Sequence, residues 1–89
     1  MRINDKMSYD KFDDGDLIIY DKEKEMTHIL NSTAAEIIKL FDEDEDIDNV
    51  FSLYCNLFNI KEQDDCYIEC KDDYYNVIKN LIEKQILII

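Results

Sequence analysis

The hydrophobic period changes abruptly between Met26 and Asp42, and this change constrains the chain more than any other feature. Met26-Thr27-His28-Ile29-Leu30 reads as an extended strand. Beyond it Ala34, Ile37, Ile38 and Phe41 recur at i, i+3, i+4 and i+7, which gathers them on one face of a helix. Just three residues, Asn31-Ser32-Thr33, separate the two patterns. All three belong to the types that cap helix N-termini: Thr33 and Glu36 have capping-box spacing, and Asn31 is an alternative cap slightly earlier. The strand stops because a helix begins there.

The same reading extends in both directions. Tyr9 to Phe12 is a possible short strand, and Asp13-Asp14-Gly15-Asp16 is a turn built around the chain's single glycine. Leu17-Ile18-Ile19-Tyr20 is a β-branched and aromatic run, joined to Met26–Leu30 by the charged connector Asp21-Lys22-Glu23-Lys24. Together these predict a small antiparallel meander. Downstream, Ile47, Val50, Phe51, Tyr54, Leu57 and Phe58 share one face of a second helix, and the acidic run Asp42 to Asp46 suits its positive N-terminal end. Tyr74, Val77, Ile78, Leu81 and Ile82 form a third stripe, with Asp72 or Asp73 near its start and Lys84 near its end. Residues 59 to 71 remain open, since Cys66 to Cys70 reads equally as a short strand, a turn or a frayed helix start. The terminal Ile86-Leu87-Ile88-Ile89 should pack against the core or the strands, because four free aliphatics would invite aggregation. The result is an α+β fold, with residues 1–8 a loosely held lead-in and residues 9–89 one domain.

Composition narrows the function. A chain of 89 residues buries roughly 60–65% of its unfolded surface, too little to enclose a large active site. With 22 acidic and 10 basic residues the formal charge is −12, which opposes the phosphate contacts that nucleic acids and anionic membranes require. There is neither an apolar run of bilayer length nor a signal-like N-terminus, so a cytoplasmic location is expected. Three cysteines cannot form a complete disulfide framework and should be free thiols.

Catalytic and metal chemistry find little support. Cys66-x-x-x-Cys70 has the spacing of two ligands of an iron–sulfur motif, but residue 73, the third position, is Asp. Cys55, Cys66, Cys70 and His28 match no usual zinc module. His28, Ser32 and Cys55 could in principle act as base or nucleophile, yet no glycine-rich or oxyanion loop accompanies them. The expectation is a protein without cofactor, metal or catalytic residues. A meander this small must, however, present an edge strand, and Glu25 to Leu30 carries few blocking charges and no proline, which suits it to pairing with an extended peptide.

The order of these features carries a resemblance. Strands, then Leu30-Asn31-Ser32-Thr33-Ala34-Ala35-Glu36-Ile37, an acidic link, a second amphipathic helix and a third ending in Leu81-Ile82-Glu83-Lys84-Gln85-Ile86-Leu87 together resemble the PqqD-like peptide chaperones. These are the RiPP recognition elements, which bind leader peptides of ribosomally made, post-translationally modified peptides. The likeness covers residues 9 to 89. It departs from the family at Gln85, where a glycine is usual, and over Lys61 to Lys71, a longer link than usual.

The resemblance implies a winged helix-turn-helix-like unit of three strands preceding three helices. The leader would add as a strand beside Met26 to Leu30, held by the backbone of Thr27, His28 and Ile29. Tyr74, Tyr75, Ile78 and Ile82 would read its side chains. The implied partners are a precursor leader peptide and a modifying enzyme, whether a radical SAM maturase, a cyclodehydratase or a lasso-type enzyme. An acidic adaptor that binds no leader is the alternative, and a winged-helix DNA-binding protein is a third reading that the charge opposes.

Overall fold

The computed structural model describes residues 1–11 and 14–89. In chain order the elements are β1 (Arg2–Ile3), β2 (Ser8–Lys11), β3 (Leu17–Asp21), β4 (Met26–Leu30), α1 (Ser32–Leu40), α2 (Ile47–Leu57), α3 (Tyr67–Glu83) and β5 (Leu87–Ile88). Strands β2, β3 and β4 form the antiparallel meander, with β3 central. Phe12, expected to end the first strand of the meander, lies outside the described residues. The fold is α+β, a three-stranded antiparallel sheet followed by three helices.

Pairing fixes which side of the sheet meets the helices. Ile19 lies opposite His28 and Leu17 opposite Leu30, and Leu17, Ile19 and Leu30 are buried, so alternate residues on these strands face the core. The β3–β4 connection is held by Asp21, a buried acid whose Oδ1 accepts from the backbone N–H groups of Glu23 and Lys24 at 3.0 and 3.3 Å. Glu25 completes the turn at a φ of 52°. Gly15, at a φ of 94°, serves the β2–β3 connection, and a Cβ placed there would lie 3.2 Å from the Cβ of Ser32.

Helix ends carry several corrections to the sequence reading. Asn31 caps α1, its Oδ1 accepting from the Ala34 N–H at 2.9 Å, so the Thr33–Glu36 capping box does not form. Asp46 caps α2 in the same way, accepting from Asp48 and Asn49. Leu57 and Phe58, assigned to the buried face of α2, are 52% and 44% exposed because the helix ends at that point. The open segment 59–71 resolves into turns followed by the first turns of α3, which begins at Tyr67, so Asp72 and Asp73 lie within the helix rather than at its start.

Both α2 and α3 end with a non-glycine residue at positive φ. Gln85 has a φ of 60°, its N–H donates to Ile82, and the following Ile86 N–H donates to Leu81, both at 2.9 Å. This is the Schellman arrangement that glycine usually serves. Asn59, at a φ of 55°, does the same for α2, with Ile60 donating to Cys55 at 2.8 Å. A chain with one glycine turns its helices with Asn and Gln instead.

After Gln85 the chain dives inward: Ile86 and Leu87 are fully buried and β5 pairs antiparallel with β1. Residues 1–8, expected as a lead-in, therefore contribute a strand, and Met7 is buried in the core. What the sequence alone could not show is a partner at the opposite end of the chain for a two-residue strand, yet the Asn4 N–H donating to Ile86 at 2.8 Å extends that ribbon. Ile89 projects outward at 98% exposure.

Candidate functional site

Strand β4 is an edge: it pairs with β3 and, among the described residues, with no strand on its other side. In an antiparallel ladder the N–H and C=O of one residue point to the same neighbour, and successive residues alternate. Thr27, His28 and Ile29 lie opposite Tyr20, Ile19 and Ile18, so they cannot all turn their backbone groups outward. Either Thr27 and Ile29 do so, or His28 does, flanked by Met26 and Leu30. The sequence-based expectation of three consecutive backbone contacts is corrected by this alternation.

Beside that edge runs a groove of about 200 Å³, lined by Ile29, Leu30, Asn31, Ala34, Val77, Asn80, Leu81 and Lys84. Its walls come from β4, the start of α1 and the C-terminal half of α3. On α3 the lining residues sit at i, i+3, i+4 and i+7, a stripe from Val77 to Lys84. Ile29 is 66% exposed on the outer face of the sheet, and Met26 and Thr27 are exposed toward the hairpin.

The α3 residues singled out from sequence lie elsewhere. Tyr74 is 1% exposed, with its ring 5.0 Å from Phe51 and its hydroxyl donating to the Ile47 carbonyl at 2.8 Å. Burial, as its main cause, raises the Tyr74 hydroxyl well above the ordinary phenol range. Tyr75 turns toward α2, donating to Asp48 Oδ1 at 2.6 Å, a bond that pushes its own pKa up to about 12. Ile78 is in the core and Ile82 packs half-buried against it. Of the nine residues proposed from sequence, the structure brings Ile29 and Leu30 to the groove lining, leaves Met26, Thr27 and His28 along the same strand, and places Tyr74, Tyr75, Ile78 and Ile82 off it.

Val77, Asn80, Leu81 and Lys84 of the α3 side, with Asn31 and Ala34 at the start of α1, are the lining residues outside the sequence-based site. Val77 and Leu81 are apolar members of the third stripe and Lys84 is the basic residue near its end, whereas Asn80 carries no such signal. The signal was available as a stripe about 100° around the helix from Tyr74 and Ile78. Choosing between adjacent stripes requires knowing which one faces β4.

Among the described residues, thiols, acids and the histidine form no group of three or more able to hold a metal ion. Cys55 is buried on α2, Cys70 half-buried and Cys66 exposed at the start of α3. Burial raises the pKa of Cys55 and Cys70, with the Cys66 thiol adding to the effect on Cys70. Among the described residues no helix is long and apolar enough to cross a membrane.

No family model and no curated protein matches the chain. Among solved structures it is similar to TbiB1 in complex with the TbiA(beta) leader peptide, with a TM-score of 0.73 over 98% of this chain and 94% of that one. The two sequences are 18% identical. At that identity the likeness shows a shared fold, the three-stranded sheet followed by three helices.

Proposed function

We propose that this protein is a non-catalytic leader-peptide-binding module of a RiPP pathway, which captures a precursor's leader as an added strand on β4 and presents its core to a modifying enzyme. The observation that carries this reading is the free edge of β4 alongside the groove to α3, in a fold shared with a protein solved bound to a leader peptide. Main-chain pairing would hold any extended peptide, and the groove would select by side chain. Tethering would then raise the effective concentration of the core at the enzyme, which needs no catalytic group in the module itself.

A disordered leader loses conformational entropy on binding, so a dissociation constant of roughly 0.1–10 µM is expected. The test is a fluorescence-anisotropy titration with labelled leaders of precursors encoded beside this protein, run against scrambled leaders and a random DNA duplex at one salt concentration. Saturable binding of one intact leader supports the reading. Binding of none moves the assignment to an acidic adaptor, and salt-sensitive binding of the duplex would replace it with nucleic-acid recognition.

A further inference from the structure

The groove differs in electrostatic character from the surface around it. Lys84 is the single charged residue of its lining, beside the amides of Asn31 and Asn80, and no carboxylate lines it. Four other hollows on the described surface each hold a carboxylate: Asp42 beside Lys11 and Lys39 between β2 and α1, Glu45 with Arg2 beside β1, Glu62 near the end of α2, and Asp48 near the chain termini. In a chain with 22 acidic residues and a net charge of −12, a hollow lined by a cation and no acid stands apart.

Two independent features add to this. Helix α1 starts at the groove, with Asn31 and Ala34 in the lining, and its first turn carries no acidic side chain, so its partial positive charge is not offset there. The Lys24 ammonium is held at 2.8 Å by the neutral Oε1 of Gln85, the residue that follows Lys84. Glu25 and Glu83 adjoin these lysines in sequence, and neither lines the groove.

Resting on the reading that the groove binds an extended peptide, we infer that it selects peptides bearing an Asp or Glu flanked by apolar residues. The carboxylate sits between the start of α1 and Lys84, and the apolar side chains cover Ile29, Val77 and Leu81. The charge of the whole molecule acts weakly against this, since at physiological salt it is screened beyond roughly 8 Å and the nearby cations dominate within the groove.

The inference is tested by mRNA display of random twelve-residue peptides on immobilised wild-type protein, Lys84→Arg and Lys84→Glu at 0.15 M salt, followed by titration of enriched peptides. Wild type and Lys84→Arg should enrich peptides with an excess of Asp or Glu. Replacing that residue by Asn or Gln, or using Lys84→Glu, should weaken binding about tenfold, the scale of a charge-assisted hydrogen bond in a partly screened site. Enrichment without acidic excess, or acidic peptides that bind Lys84→Glu as tightly as wild type, would overturn the carboxylate selection while leaving peptide binding in place. Failure to enrich any peptide would overturn both.

Discussion

The hydroxyl of Tyr74 on α3 donates a 2.8 Å hydrogen bond to the carbonyl oxygen of Ile47, the first residue of α2. A buried phenol needs such a partner, and here the partner is a carbonyl at the beginning of a neighbouring helix. The bond fixes how α3 is rotated. With Tyr74 turned toward α2, Val77, Leu81 and Lys84 are left to face β4. Removing the hydroxyl as Tyr74→Phe should cost about 1 kcal/mol, and Tyr74→Ala about 3–5 kcal/mol from the cavity it leaves. Urea denaturation measures both, and a Phe variant as stable as wild type would show that ring packing alone sets the rotation.

Backbone alternation along β4 predicts opposite outcomes for proline at neighbouring positions. At one of Thr27 and His28 the lost N–H points outward, and proline should weaken leader binding while leaving the fold intact. At the other it points to β3, and proline should destabilise the hairpin. Circular dichroism with anisotropy on Thr27→Pro and His28→Pro separates the two, and the same result at both positions would contradict the pairing.

Asn31 rather than Thr33 caps α1, which gives a direct contrast. Asn31→Ala should lose about 1 kcal/mol of stability, and Thr33→Ala should stay within roughly 0.5 kcal/mol of wild type. Comparable losses at both positions would restore the capping box.

At Gln85 the backbone already has the conformation that glycine favours. Gln85→Gly relieves a strained left-handed residue and should stabilise the protein by about 0.5–1 kcal/mol, despite losing the contact from Lys24. A lower thermal midpoint for the glycine variant would show that the side-chain bond outweighs the backbone strain.

Alkaline pH should destabilise the fold through its tyrosines, Tyr9 and Tyr75 among them. Hydrogen bonding to Asp48 raises Tyr75 to about 12, and burial raises Tyr9 to about 12, against an ordinary value of 10.0. Each neutral hydroxyl therefore contributes stability that is complete below pH about 10 and is lost as pH rises toward about 12. Denaturation midpoints measured from pH 9 to 11.5 should fall less steeply in Tyr9→Phe/Tyr75→Phe than in wild type. Parallel slopes would mean that these groups ionise alike in the folded and unfolded chain.

Much of the architecture was legible in one dimension because it rests on local rules. The period change after Leu30, the apolar stripes of the three helices and the turn at Gly15 depend on spacing and residue type, and each marks an element of the structure. The aliphatic tail after Gln85 also had to be covered, and Ile86 and Leu87 are fully buried. Local sequence determined that the meander precedes the helices and where β3, β4, α1 and α2 begin, while the start of α3 stayed open.

Tertiary structure decided the rest. The pairing of Arg2–Ile3 with Leu87–Ile88 joins opposite ends of the chain, and a two-residue strand has no periodicity to detect. Similarly, α3 carries two adjacent stripes with aliphatic members, and only packing against Phe51 and Ile47 turns the Tyr74–Ile78 stripe inward and the Val77–Lys84 stripe toward the groove. Sequence determined the meander and the apolar stripes of the three helices; long-range contacts decided which face of α3 the free edge of β4 meets.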